Sequence, residues 1–101
     1  MKGNPLYSHK VKEFYSVQIF DGIQLKYYFE NGLAASVVCH HRSWGGERGL
    51  FEIALMDYED NLIYNEEFPD VVGYLTFAQV DECLSKIAYL KPHFNSKPLD
   101  S

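Results

Sequence analysis

Tyr28-Phe29-Glu30-Asn31-Gly32-Leu33-Ala34-Ala35-Ser36-Val37-Val38 sets two strand-like runs on either side of an Asn-Gly pair. Between β-forming residues this pair is the strongest short-range hairpin signal, because both central positions of a type I′ turn need positive φ, which Gly and a few short polar residues tolerate. Toward the N-terminus, Glu13-Phe14-Tyr15-Ser16-Val17-Gln18-Ile19-Phe20 is rich in strand formers and is followed by Asp21-Gly22, a second hairpin signal. Strands are therefore predicted over residues 13–20, 24–30 and 33–40.

If both turns have two residues, Phe20 faces Ile23 and Glu30 faces Leu33, and the two faces follow by counting outward. One face collects Phe14, Phe20, Ile23, Leu25, Tyr27, Phe29, Ala34 and Val38, with Ser16, Gln18, Ser36 and His40 among them. The other collects Tyr15, Val17, Ile19, Tyr28, Ala35, Val37 and Cys39, relieved by Gln24 and Lys26.

C-terminal to the hairpins, residues 41–49 hold three glycines without apolar alternation and read as a loop. Alternation returns over residues 50–57, with Phe51, Ile53 and Leu55 on one side. Leu62-Ile63-Tyr64 reads as a short fifth strand, and Val71-Val72-Gly73-Tyr74-Leu75 as a brief apolar run. Thr76 with Gln79 three positions later is the capping-box pattern. From there Phe77, Val80, Leu84, Ile87 and Ala88 recur at helical spacing, a stripe that has to lie on the sheet, until Pro92 stops the helix.

The fold expected is α+β: an antiparallel meander sheet of four to five strands with one C-terminal helix packed on one face. Residues 1–12 read as a flexible arm, 13–91 as a single domain and 92–101 as a polar tail. A chain of 101 residues that is 47% hydrophobic suffices for one packed core. One helix covers only one face, so the partly apolar second face, with Tyr15 and Tyr28, is expected to take a homodimer or a partner.

A formal charge of -5 argues against a phosphate-backbone binder, which carries a basic patch, so no nucleic-acid partner is expected. Asp57, Glu59, Asp60, Glu66, Glu67 and Asp70 lie in a stretch without Lys or Arg and read as a solvated turn. Cys39 and Cys83 sit in apolar segments and read as reduced core residues. The N-terminus lacks the features of a secretory signal and no apolar run is long enough to span a bilayer, so a cytoplasmic protein with no membrane partner is expected.

Cys39 and His40 are neighbours in a predicted strand and point to opposite faces, which excludes a thiolate–imidazole pair. Cys39, His41, Cys83 and His93 lack the short paired spacing of a structural zinc site, and Asp57 to Phe68 lacks the Gly and the closing Glu of a calcium loop. No metal, cofactor or catalytic residue is expected. The candidate binding surface is Arg42, Trp44, Gly45, Gly46, Glu47 and Arg48, because Trp and Arg dominate interface hot spots and glycines admit close backbone approach. Trp44 folded back onto the core is the alternative reading of the same loop.

Tyr28-Phe29-Glu30-Asn31-Gly32, Ala35-Ser36-Val37-Val38, Gly45-Gly46-Glu47 with Gly49-Leu50-Phe51-Glu52, and Val72-Gly73-Tyr74-Leu75-Thr76 together resemble small uncharacterised proteins encoded by tailed bacteriophages. The resemblance spans residues 25–90, while Leu33-Ala34 and the His40-His41 pair depart from it. It implies a shared fold and, by analogy, an accessory protein that binds a host or phage protein in the host cytoplasm during takeover or against defence. A metal-dependent or nucleic-acid-processing enzyme and a minor virion protein are the rival readings.

Overall fold

The computed structural model describes residues 6–91, and the predicted tail 92–101 lies outside them. Five strands, β1 (Val11–Ile19), β2 (Gly22–Phe29), β3 (Leu33–Cys39), β4 (Phe51–Asp57) and β5 (Val72–Leu75), form one antiparallel sheet in the order β1-β2-β3-β4-β5. The helix α1 (Phe77–Ala88) packs on one face. This is the expected α+β meander.

Each hairpin differs from expectation in its turn, with unequal consequences. At the first, Ile19 pairs with Gly22, so the loop is Phe20-Asp21 rather than Asp21-Gly22. The pairing has slipped by an even number of residues, so every β1 and β2 side chain keeps its expected face. At the second, Tyr28 pairs with Ala34, and Glu30, Asn31 and Gly32 form a three-residue loop between the end of β2 and the start of β3. Gly32 takes the left-handed position at φ 89°, the usual ending of a three-residue hairpin loop. That slip is odd, and it turns β3 over: Ala35, Val37 and Cys39 join the helix side, and Ala34, Ser36 and Val38 face outward.

Asn31 supplies the cause. It is used for its side chain: Nδ2 donates to the carbonyls of Ile87 (2.9 Å), Ala88 (3.3 Å) and Leu90 (2.9 Å), while Oδ1 accepts from the Leu33 N–H at 3.0 Å. The last carbonyls of a helix have no partner within it, and here the hairpin loop provides one. The helix accordingly ends at Ala88, before Pro92. Its start is as expected, with Thr76 and Gln79 forming a reciprocal capping box.

Val80, Leu84, Ile87 and Ala88 of α1 meet Phe29, Leu33, Ala35, Val37, Ile53 and Leu55 of the sheet. Phe77, expected in this stripe, is 59% exposed, because it sits at the first helical position with its ring 5.7 Å from Phe51. Two further core residues come from segments without periodicity. Phe68 arrives from the β4–β5 connection, and Tyr7 from a short 3-10 helix over Leu6–Lys10 whose hydroxyl donates to Asp81 at 3.1 Å. The second half of the expected arm is thus folded, and β1 begins at Val11. Burial pushes the Tyr7 hydroxyl well above its ordinary pKa. The fifth strand is Val72–Leu75; Leu62 makes only an isolated bridge to Met56. Cys39 and Cys83 are free, and burial raises the Cys83 thiol.

The outer face is less apolar than expected, because the flipped β3 presents Ala34, Ser36 and Val38. Its centre is closed by its own side chains. Lys26 Nζ lies 2.9 Å from Asp60 Oδ2, the Tyr28 hydroxyl donates to Asp60 Oδ1 at 2.9 Å, and Tyr28 meets Tyr58 and Tyr15 edge-on. The Lys26 and Tyr28 contacts hold the Asp60 carboxyl below its usual range. On this face Tyr15 and Val17 of edge strand β1 remain exposed.

Replacing Asn31 tests the clamp. Asn31→Ala is expected to cost about 1–3 kcal/mol, the range for leaving partly buried hydrogen-bonding groups unpaired. Asn31→Asp is expected to cost more than Asn31→Ala despite its similar size, since it removes both donors and sets a negative charge against the negative end of the helix dipole. Urea denaturation of the three proteins ranks them.

Candidate functional site

One end of the sheet gathers the first hairpin tip, the β3–β4 loop and the β5 edge. Both arginines of the chain, its single tryptophan and two of its four histidines fall between His40 and Arg48. The loop is held by its own backbone and short side chains. Ser43 Oγ donates to the His40 carbonyl at 2.9 Å and accepts from the His40 N–H at 3.0 Å, and a 3-10 turn over Gly46–Arg48 follows.

Trp44 is seated on β4 and β5 by its backbone and by its Cβ, which lies against Gly73. Its N–H donates to Glu52 Oε1 at 2.8 Å, and its carbonyl accepts from the Tyr74 N–H at 3.1 Å. The indole is 60% exposed, with its centroid 6.5 Å from that of Tyr74. Trp44 is therefore a surface residue on a fixed backbone, which removes the alternative that it folds onto the core. Gly45 makes this possible: at φ 89° and with the Tyr74 Cα 2.9 Å from where its Cβ would stand, no other residue fits without a shift. Gly45 is buried and the Gly46 amide donates to the Ser43 carbonyl, so both glycines serve the loop's own close packing rather than an open approach.

Two non-glycine residues flanking the loop have left-handed backbones, Phe20 at φ 55° and Tyr74 at φ 58°. For bulky aromatics this conformation is costly and has to be imposed by surrounding contacts. Phe20 occupies the first central position of a two-residue hairpin, where type II′ turns place Gly. Its ring lies 4.9 Å from His40 and 5.7 Å from His41, and the Arg42 guanidinium carbon stands 5.3 Å from its centroid. The hairpin tip is thereby stacked into the loop.

The adjacent histidines take opposite tautomers, as their partners require. His40 Nδ1 accepts from the Arg42 N–H at 3.0 Å, so the neutral ring carries its proton on Nε2. His41 Nδ1 lies 2.9 Å from Asp21 Oδ1, and its N–H donates to the same oxygen at 2.9 Å, so the neutral ring carries its proton on Nδ1. These bonds hold the Asp21 carboxyl below its ordinary value.

Beside this cluster is a concavity of about 280 Å³ lined by Arg42, Ser43, Trp44, Arg48 and Tyr74. A second, of about 570 Å³, opens on the helix side and is lined by Ile23, Cys39 and Phe51, which α1 covers only in part. His41 and Glu47 line both. Of the residues singled out in the sequence, Arg42, Trp44, Gly45, Gly46, Glu47 and Arg48 come together here. Tyr15 and Tyr28 do not, since they lie on the outer sheet face. Sequence reasoning missed Phe20, Asp21 and Tyr74, and assigned no role here to His40, His41 or Glu52; only the Asp21-Gly22 turn signal hinted at the hairpin tip. Among the described residues no group of three or more His, Cys, Asp and Glu is placed to hold a metal ion, and no helix is long and apolar enough to cross a membrane. Compared with family models, curated proteins and solved structures, the chain gives no match.

Acid titration tests the link between hairpin tip and loop. A carboxyl whose folded pKa is depressed contributes stability that is present above its unfolded value, near pH 4, and lost as pH falls through the folded value. The thermal midpoint of wild type is expected to exceed that of Asp21→Asn from neutral pH down to about 4, with the gap closing below that. Imidazole nitrogen NMR shifts are expected to show the proton on Nε2 of neutral His40 and on Nδ1 of neutral His41.

Proposed function

We propose that this chain is a non-enzymatic binding protein, an accessory protein of the kind tailed bacteriophages encode, acting on a host or phage protein in the host cytoplasm. The observation that carries the reading is Trp44, whose two backbone groups are hydrogen-bonded to the sheet while its indole is 60% exposed. A large aromatic held on a rigid backbone loses little conformational freedom on binding, which is what makes Trp a frequent anchor at interfaces. Arg42, Arg48 and Tyr74 around it are residue types that recur at such anchors, and Gly45 with the Ser43 bridge supplies the rigid support.

Affinity capture of the tagged protein from a bacterial host lysate, read by mass spectrometry, tests this. A stoichiometric protein is expected with wild type and lost with Trp44→Ala, while the thermal midpoint of the variant stays within a few degrees of wild type, as for a surface truncation. Capture that survives the substitution removes Trp44 from the interface. A large drop in midpoint would make its role structural.

A further inference from the structure

The charge balance around Trp44 indicates what it meets. Arg42 and Arg48 stand at one end of a chain whose formal charge is -5, and among the described residues neither guanidinium is within 4.0 Å of a carboxylate. Three carboxylates stand nearby, and hydrogen bonds from neutral donors leave their charge in place; of the three only Glu47 lines the 280 Å³ concavity. Asp21 is taken by the N–H and Nδ1 of His41, and Glu52 accepts from the Trp44 N–H, which leaves Glu47 as the one rim carboxylate without a hydrogen bond among the described residues. Phe20 under Arg42 orients that guanidinium without neutralising it.

The acidic stretch at the end of β4 is distant. Asp57, Glu59 and Asp60 follow the far end of β4, a strand of seven residues that carries them about 20 Å from the loop at roughly 3.3 Å per residue. That separation exceeds the screening length of about 8 Å at physiological salt, so an anionic segment in the concavity meets two guanidinia and the single Glu47 carboxylate of its lining, with those distant acids screened.

We propose, resting on the binding reading above, that the segment recognised is an acidic peptide stretch of the partner protein. Its carboxylates pair with Arg42 and Arg48, and an apolar residue between them lies on the Trp44–Tyr74 wall of the 280 Å³ concavity. Guanidinium–carboxylate pairs are bidentate and directional, so they set the register of the segment, and the aromatic wall supplies apolar contact. A nucleic acid fits less well, since its phosphate chain continues past the two arginines onto the acidic body, whereas a short acidic stretch ends there.

Trp44 is the single tryptophan, so tryptophan emission reports this site alone. The probe is a capped Glu-Glu-Phe-Glu-Glu peptide, compared with its Gln-Gln-Phe-Gln-Gln counterpart and with inorganic phosphate. A saturable emission change is expected with the acidic peptide, weakening at high salt. It should be about tenfold or more weaker with the glutamine peptide and with the Arg42→Gln/Arg48→Gln protein, the scale of losing charge-assisted hydrogen bonds. Circular dichroism checks that the double variant is folded, and Arg48→Lys, which keeps the charge, should bind between the two. Equal response to both peptides, no response, full binding by the folded double variant, or phosphate matching the acidic peptide at the same concentration would overturn the proposal. A silent acidic peptide beside a lysate partner still lost with Trp44→Ala overturns the acidic preference and leaves the binding reading standing; an empty capture together with a silent peptide overturns both.

Discussion

The side chain of Asn31 donates to the carbonyls of Ile87, Ala88 and Leu90 and accepts from the Leu33 N–H, so one residue joins the β2–β3 loop to the end of α1. Much else follows from that junction. Keeping Asn31 in a three-residue loop sets the pairing of β3, and the pairing puts Ala35 and Val37 under the helix. The other end of α1 is fixed by the Thr76–Gln79 capping box directly after β5. Both termini of the helix are thus tied to sheet turns, and the helix position on the sheet is set by its ends as much as by its apolar stripe.

With α1 placed, the end of the sheet beyond its N-terminus is covered only in part, and the candidate cluster forms there. Its parts come from three separate segments: Phe20 and Asp21 at a hairpin tip, His40 to Arg48 in a loop, and Tyr74 on an edge strand. Two of them are locally unfavourable, since Phe20 and Tyr74 have left-handed backbones, and the third depends on Gly45, beside Tyr74, where any Cβ would clash. Strain of this kind persists where surrounding contacts over-determine the backbone, and here those contacts are the Trp44 bonds to Glu52 and Tyr74 and the stacking of Phe20 on the histidines. The outcome is a platform with exposed aromatics and two guanidinia that make no ion pair among the described residues. The acidic connection after β4 is occupied in structural work instead, with Asp57 accepting from the Glu59 and Asn61 amides and Asp60 from Lys26 and Tyr28.

Both hairpins, the alternation of β4, the helix start at Thr76 and the surface loop around Trp44 were legible in the amino-acid sequence, because each rests on a few adjacent residues. The α+β meander follows from them. Asn31-Gly32 correctly announced a hairpin although Asn31 serves a different purpose from the one its type suggests. At the first hairpin a slip of two in pairing was harmless, since side chains alternate with period two. At the second a slip of one exchanged the faces of β3.

Tertiary structure alone decided which face of β3 is buried, that Tyr7 and Phe68 complete the core, that Val72–Leu75 rather than residues 62–64 forms the fifth strand, and that Phe20 and Tyr74 join Trp44. The reason is physical. Turn length at residues 30–32 is fixed by a hydrogen bond to a carbonyl 56 positions away, and the site by stacking between segments about 20 residues apart or more. Local propensity carries no trace of such contacts, because the groups that make them become neighbours only once the helix lies on the sheet.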